Sequence, residues 1–115
     1  MEYQFEKIGD LMKVTLDGRL VAACSDEFRE KVLAHLAETK NFLIDMSKVS
    51  HVDSSGLGAL VVFQQRATSE GGTVKLAALQ KRPKIVFDIT KVYRVFEIFN
   101  TVEEGLASFN QEDNA

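Results

Sequence analysis

The sequence predicts a single α/β domain. Its mixed β-sheet opens with an antiparallel hairpin, continues with parallel strands and packs against about four helices. Apolar residues first alternate with polar ones, as in strands, and later recur at helical spacing between short apolar runs. The chain has 115 residues, of which 45% are apolar and 27% charged, as expected for one globular domain. We assign residues 1–110 to this domain and residues 111–115 to a polar C-terminal tail.

The first two elements are predicted to be strands joined by a tight turn. Tyr3 and Phe5 alternate with polar neighbours, and the same period-two pattern recurs over residues 12–16. Gly9-Asp10 lies between the two patterns and suits a two-residue hairpin. The chain therefore begins with two antiparallel strands.

A helix and a buried strand are expected next. Ser25 is a candidate N-cap followed by two acidic residues, and apolar residues at helical spacing extend this helix to about Glu38. The short apolar run within residues 42–46 is typical of a central strand covered on both faces.

The fourth and fifth elements are predicted to be a helix and a strand. Residues 59–63 could form a strand by composition, but a helix is favoured because residues 55–70 contain no turn signal except their first glycines. Gly71-Gly72 ends this helix, and alternation over residues 74–76 predicts the next strand.

The last third of the chain is predicted to hold two helices around a short extended segment. The first starts near Pro83 and takes its apolar face from three aliphatic residues, Ile85, Val86 and Ile89. Residues 96–99 read as a short strand. Thr101 and Glu104 form a capping box that opens a final helix through about Phe109.

The residues most suited to a functional role follow the strand at 42–46. Strand–helix–strand units cross over in a right-handed sense, which makes the later strands parallel, and function tends to lie at the carboxyl ends of such strands. A loop ending at Asp53-Ser54-Ser55 is expected at that end, where unpaired N–H groups at a helix N-terminus favour an anion. The glycines at 56 and 58 would let another protein surface approach closely. The alternative is that Asp53, Ser54 and Ser55 are only helix caps.

This segment resembles the signature of STAS domains, specifically of bacterial anti-sigma factor antagonists. The resemblance covers nearly the whole chain and includes Gly18, Gly71-Gly72 and the spacing of residues 87–98. It is carried mainly by the motif Asp53-Ser54-Ser55-Gly56-Leu57-Gly58, preceded by the strand Leu43-Ile44-Asp45-Met46.

The resemblance implies a mechanism and two partners. In that family the serine after the motif's aspartate, here Ser54, is phosphorylated by an anti-sigma factor that is itself a serine protein kinase. The unphosphorylated protein binds this kinase and frees the sigma factor, phosphorylation ends the binding, and a phosphoserine phosphatase resets the switch. Ser55 is then the expected structural cap. The partner-binding residues are predicted to be Asp53, Ser54, Ser55, Gly56, Leu57 and Gly58.

Two positions depart from the family pattern. Val21 stands where an acidic residue often follows the second strand, in a loop expected near the partner. Lys91 stands where a glycine often follows the threonine of the helix region, here Thr90. The first departure bears on the identity of the partner and not on the fold.

Composition excludes several other classes. The net charge of −3 gives no reason to expect nucleic-acid binding, and no apolar run reaches the roughly 20 residues of a membrane span, so we expect a cytoplasmic protein without direct membrane insertion. Cys24 is a single cysteine, and His35 and His51 are too far apart in sequence to indicate a metal site. We therefore predict no metal, no cofactor and no catalytic residues.

Other interpretations of particular residues stay open. His51 could contact a phosphate on Ser54. The basic cluster at residues 81–84 is either a solvated helix start or a contact for an acidic partner. Two alternative functions are a STAS subunit of a membrane transport complex and a small hydrolase using Ser54. The hydrolase lacks the Gly-x-Ser-x-Gly elbow and an evident base.

Overall fold

The computed structural model describes the backbone of residues 1–113 and the side chains of residues 1–110. The polar tail predicted at residues 111–115 therefore lies outside the described residues, apart from the helical backbone of residues 111–113. The elements are β1 Glu2–Ile8, β2 Leu11–Leu20, α1 Ala22–Ala34, β3 Asn41–Val52, α2 Ser54–Ser69, β4 Thr73–Ala77, α3 Lys81–Thr90, β5 Ile98–Phe99 and α4 Val102–Asp113. Short 3₁₀ turns follow α1 and α3, at His35–Ala37 and Val92–Arg94.

The strands form one mixed sheet with the spatial order β1-β2-β3-β4-β5. β1 and β2 are antiparallel, with Ile8 paired to Leu11 across the hairpin, and every later pair is parallel. Gly9 in the turn has φ +59°, a conformation that glycine adopts at no steric cost. The predicted fold class and element order are confirmed.

The two faces of the sheet carry cores of different size. Val14, Ile44 and Leu76 lie side by side in the parallel register and point toward α1, α2 and α3. Phe63 of α2 packs edge-on against Phe42, with ring centroids 4.7 Å apart. The opposite face is covered by α4 and holds a smaller cluster formed by Leu11, Leu43, Ala77 and Phe109.

Lys75 is a buried cation beneath α4. Its side chain is 1% exposed, its Nζ donates to the Ser108 hydroxyl at 3.0 Å, and it lies 3.5 Å from the Glu97 carboxylate. The same Nζ is 4.3 Å from the centre of the Phe109 ring. This lysine joins β4 to α4 through polar contacts, and the alternation of its strand did not reveal that role.

The start of α1 differs from the prediction. The helix begins at Ala22, its N-cap is Val21, and Ser25 lies inside the first turn with its hydroxyl bonded to the Ala22 carbonyl. The amide of Ala22 is instead bound by the carboxylate of Asp53, 31 residues away. The hydrogen bond to the start of α1 that the local sequence predicts from Ser25 is thus supplied by Asp53, a side chain outside this helix.

The apolar face predicted for α3 is wrong at two of its three residues. Pro83 and Phe87 are buried, whereas Ile85 and Ile89 are 55% and 75% exposed. Phe87 contacts the Phe96 ring, with centroids 6.3 Å apart. The larger aromatic side chain fixes which face of the helix meets the core, and the isoleucines are turned to the opposite side.

β3 is longer than the predicted strand at 42–46. It continues to Val52 and stays paired with β2 as far as Leu20. Two register shifts, opposite Thr15–Asp17 and Gly18–Arg19 of β2, each place one extra residue in β3. No loop therefore separates β3 from α2, and Asp53 alone joins them.

Candidate functional site

Asp53 ties together the N-termini of two helices. Its Oδ1 accepts a hydrogen bond from the Gly56 amide at 2.8 Å, which makes it the N-cap of α2. Its Oδ2 accepts from the Ala22 amide, the first of α1, at 3.0 Å. Its own amide donates to the Leu20 carbonyl at 3.3 Å. The ends of β2 and β3 and the starts of α1 and α2 therefore converge on one carboxylate.

These contacts favour the ionised form of Asp53. The hydrogen bond from Gly56 is the largest influence and lowers the pKa of this carboxyl below its ordinary value. Desolvation acts in the opposite direction, and the bond from Ala22 lowers the pKa further. Both oxygens are engaged by backbone amides, so Asp53 is not arranged as a general base for a neighbouring hydroxyl.

Ser54 and Ser55 are the first two residues of α2, and both are exposed. Among the residues that the structure describes, neither hydroxyl has a hydrogen-bond partner. The expectation that Ser55 caps the helix is wrong, because Asp53 takes the cap position and both serines lie in the first turn. Two free hydroxyls are thus presented to solvent at a helix N-terminus.

The two glycines of the motif have different environments. A Cβ at Gly56 would lie 2.0 Å from the Leu20 carbonyl oxygen, so this glycine is required by contact within the fold. At Gly58 nothing lies within 4 Å of such a Cβ, and the residue is exposed. Leu57 is buried. The predicted opening for a partner therefore exists at Gly58, while at Gly56 the space is filled by the chain itself.

His51 lies on β3 and contacts α3. Nη1 of Arg82 is 2.9 Å from its Nε2, and its Nδ1 is 2.9 Å from the Ser50 hydroxyl. A guanidinium can only donate, so Nε2 is the acceptor, which assigns the ring proton to Nδ1. Both ring nitrogens are occupied, so His51 is not placed to activate Ser54. A nucleophile–base pair of the kind that a serine hydrolase uses is missing here.

Of the six residues predicted to bind a partner, the structure exposes Ser54, Ser55 and Gly58. Sequence reasoning missed the contribution of β2 and α1. Val21 is the N-cap of α1 and immediately precedes the amide that Asp53 binds, so the family departure at Val21 does lie beside the motif. The distance of 31 residues between Ala22 and Asp53 hides this contact from any local pattern.

No group of three or more potential metal ligands occurs within the described part of the chain, and the helices described there include none that is long and apolar enough to cross a bilayer.

Comparison with known proteins gives a consistent result. A family model described as STAS domain matches residues 2–105. The anti-sigma-B factor antagonist of Bacillus subtilis (strain 168) is 28% identical over 95 residues, which cover 83% of this chain and 87% of that protein. A crystal structure of an anti-sigma factor antagonist from Mycobacterium paratuberculosis has a TM-score of 0.84 at 18% identity and covers 93% and 92% of the two chains. A sulfate transporter family protein from Wolinella succinogenes has a TM-score of 0.82 at 20% identity, covering 94% and 91%.

Proposed function

This chain belongs to the STAS domain family, and from that membership we propose that it is an anti-sigma factor antagonist switched by phosphorylation of Ser54. In the unphosphorylated form it binds an anti-sigma factor that is also a serine kinase, and so frees a sigma factor for transcription. Phosphorylation of Ser54 ends the binding, and a phosphoserine phosphatase restores it. The protein acts by binding and has no catalytic residues of its own.

The observation that carries this proposal is the state of the Ser54 hydroxyl. It is exposed, it has no partner among the described residues, and it lies on a rigid helix start beside the engaged carboxylate of Asp53. A phosphoryl group transferred to it would meet no steric obstacle from the chain. The hydroxyl is therefore available to a kinase and is not needed for the fold.

The physical effect of the phosphate follows from its charge. It adds about −1.5 to −2 charges next to Asp53, which is already ionised. The N-terminus of α2 tolerates that charge through the helix dipole, so the fold is retained. A partner surface seated over Ser54 and Gly58 would have to desolvate the phosphate and leave it unpaired, which is costly in an interface. Binding is lost while the antagonist stays folded.

Phosphate mapping tests the acceptor. The purified chain is incubated with ATP, Mg²⁺ and a recombinant anti-sigma serine kinase from the same genome, and the phosphopeptide is sequenced. Ser54→Ala and Ser55→Ala are a matched pair, because both hydroxyls are exposed and unbonded. We expect wild type and Ser55→Ala to be phosphorylated equally, and Ser54→Ala not at all. Phosphate on Ser55 in the wild type would contradict the assignment.

A second candidate is a regulatory subunit of a membrane transport complex, and the likeness to the Wolinella sulfate transporter family protein is the observation that favours it. The two candidates differ in what Ser54 does. The transport candidate predicts that Ser54→Asp leaves partner binding unchanged, whereas the antagonist predicts weaker binding to the kinase. Transporter genes beside this gene would favour the former, and a kinase gene the latter.

A further inference from the structure

α3 exposes a stripe of two large apolar side chains that no described residue of the chain covers. Ile85 and Ile89 are one helical turn apart and are 55% and 75% exposed. They lie on the face opposite Pro83 and Phe87, which anchor the helix in the core. Single exposed apolar residues are ordinary on protein surfaces, but two adjacent isoleucines on a well-anchored helix form a small preformed apolar ridge. We call this pair the isoleucine stripe.

The isoleucine stripe lies in a basic part of an acidic protein. The segment 80–95 carries five exposed cations and one carboxylate, Asp88, which gives it a net charge of +4. The whole chain has a net charge of −3, so the other residues together carry −7. The cations of this segment are Lys81, Arg82, Lys84, Lys91 and Arg94. A partner that fits this surface therefore presents carboxylates around an apolar depression.

The start of α3 is fixed to the strand that leads into the Ser54 site. Arg82 contacts His51, and the Gln80 side chain donates to the Ser47 carbonyl at 2.7 Å. Both acceptors are on β3, which ends one residue before Asp53. The start of α3 is thus tied to the strand that ends at the Ser54 site, and the stripe begins at Ile85, one turn further along the helix.

We propose that the isoleucine stripe is a second docking surface for the anti-sigma factor, inserting into an apolar groove rimmed by carboxylates on that protein. This inference rests on the proposed function. Residues at i and i+4 of a rigid helix are the anchors of helix-in-groove recognition. The surrounding lysines and arginines steer the acidic rim toward the stripe, so association is faster at low salt. The Ser54 surface supplies the switch, and the stripe adds affinity that phosphorylation does not touch directly.

The position of the stripe favours a protein over a lipid surface. Basic residues and isoleucines could bind a bilayer from any part of the molecular surface. Membrane binding does not require the stripe to hold a fixed position relative to β3. The Arg82–His51 and Gln80–Ser47 contacts give the stripe a defined place relative to Ser54. A single rigid partner can use that relation, because it must meet both surfaces at once.

The test compares wild type with the double variant Ile85→Ser/Ile89→Ser. The control is Ile8→Ser, an exposed isoleucine in the β1–β2 hairpin that is 38% exposed. Calorimetry measures the affinity for the same recombinant anti-sigma serine kinase, and thermal unfolding checks that each variant folds. We expect the double variant to bind about tenfold or more weakly with an unchanged melting temperature, and Ile8→Ser to bind like wild type.

Every other outcome overturns the proposal. If the double variant binds like wild type while Ser54→Asp binds more weakly, the stripe is not a docking surface and the proposed function is retained. If wild type does not bind the kinase, both fall. Cosedimentation of wild type, but not of the double variant, with phosphatidylcholine–phosphatidylglycerol vesicles would assign the stripe to a membrane surface. A wild-type dimer in sedimentation that the double variant abolishes would assign it to a second copy of this chain.

Discussion

The sharpest structural prediction concerns the pair Gly56→Ala and Gly58→Ala. Both substitutions add one methyl group to the same helix, two residues apart. At Gly56 the new Cβ would lie 2.0 Å from the Leu20 carbonyl oxygen and 2.8 Å from its carbon. These are backbone atoms at the end of β2 and cannot move aside by a side-chain rotation, so α2 has to shift. At Gly58 nothing lies within 4 Å of the new Cβ.

The two substitutions should change the free energy of unfolding in opposite directions. Overpacking by even one methylene group in a tight interior costs typically about 1–3 kcal/mol, and we expect Gly56→Ala at or above the top of that range because the obstacle is backbone. Gly58→Ala removes a glycine from a helix and should stabilise the protein by up to about 1 kcal/mol. For a domain of this size, a destabilisation of about 3 kcal/mol lowers the melting temperature by roughly 10 °C.

Urea denaturation followed by circular dichroism measures both variants. The slope of the transition should stay constant, so that the midpoint reports stability alone. A Gly56→Ala protein as stable as wild type would refute the close packing of α2 on β2 and, with it, the geometry assigned to the Ser54 site. Because Gly56 is structural, a large residue at Gly58 is the appropriate probe of steric access for a partner.

The remaining predictions test individual contacts. Asp53→Ala should cost about 0.5–2 kcal/mol at neutral pH. The folded-state pKa of Asp53 is lowered, so the stability that its ionised form contributes is fully present above the ordinary aspartate pKa of 3.8 and is lost as the pH falls through the folded-state pKa. Unfolding measured as a function of pH should therefore show wild type more stable than Asp53→Asn at neutral pH. This difference in unfolding free energy should disappear below the folded-state pKa. Burial, aided by the Glu27 carboxylate, raises the pKa of Tyr3 to about 12. The absorbance change that accompanies ionisation of Tyr3 should therefore be centred near that pH, and this component should be missing from Tyr3→Phe. Lys91 has φ +60°, and Lys91→Gly should raise stability by up to about 1 kcal/mol in urea melts. Ser54→Asp should weaken kinase binding, and high salt should partly restore it in calorimetry, whereas salt should not rescue a bulky residue at Gly58.

The element order could be predicted because it depends on local patterns. Strand alternation, helical spacing and the glycines that end elements are all visible within a few residues, and the capping bond between Thr101 and the Glu104 amide is present at 3.1 Å. The motif around Ser54 was also visible, because strand, cap and helix start are contiguous in the chain. Lys91 adopts a left-handed conformation, with φ +60°, that glycine reaches without steric cost, and the sequence of the helix gives no sign of it.

The errors concern positions where more than one side chain could take the same place. Ser25 has the composition of a cap, but Asp53 reaches the start of α1 from another element. The isoleucines of α3 have helical spacing, yet Phe87 takes the core position. At Gly56 the sequence predicts space for a partner, but the fold itself fills that space with Leu20. At Ser25 and Gly56 the deciding contact comes from a distant segment, and in α3 the spacing fits either face of the helix, so a local pattern cannot decide.

Under the proposed function, the junction at Asp53 has a consequence for how the kinase recognises Ser54. Many kinases act on extended peptides that they draw into a groove, but Ser54 follows directly on a residue bonded to two helices at once. Pulling Ser54 into an extended conformation would break both bonds and unwind the start of α2. The kinase must therefore accept the intact three-dimensional surface. A synthetic peptide spanning residues 48–60 should then be a poor substrate even though it contains the whole motif, and unfolding this chain should abolish phosphorylation of Ser54.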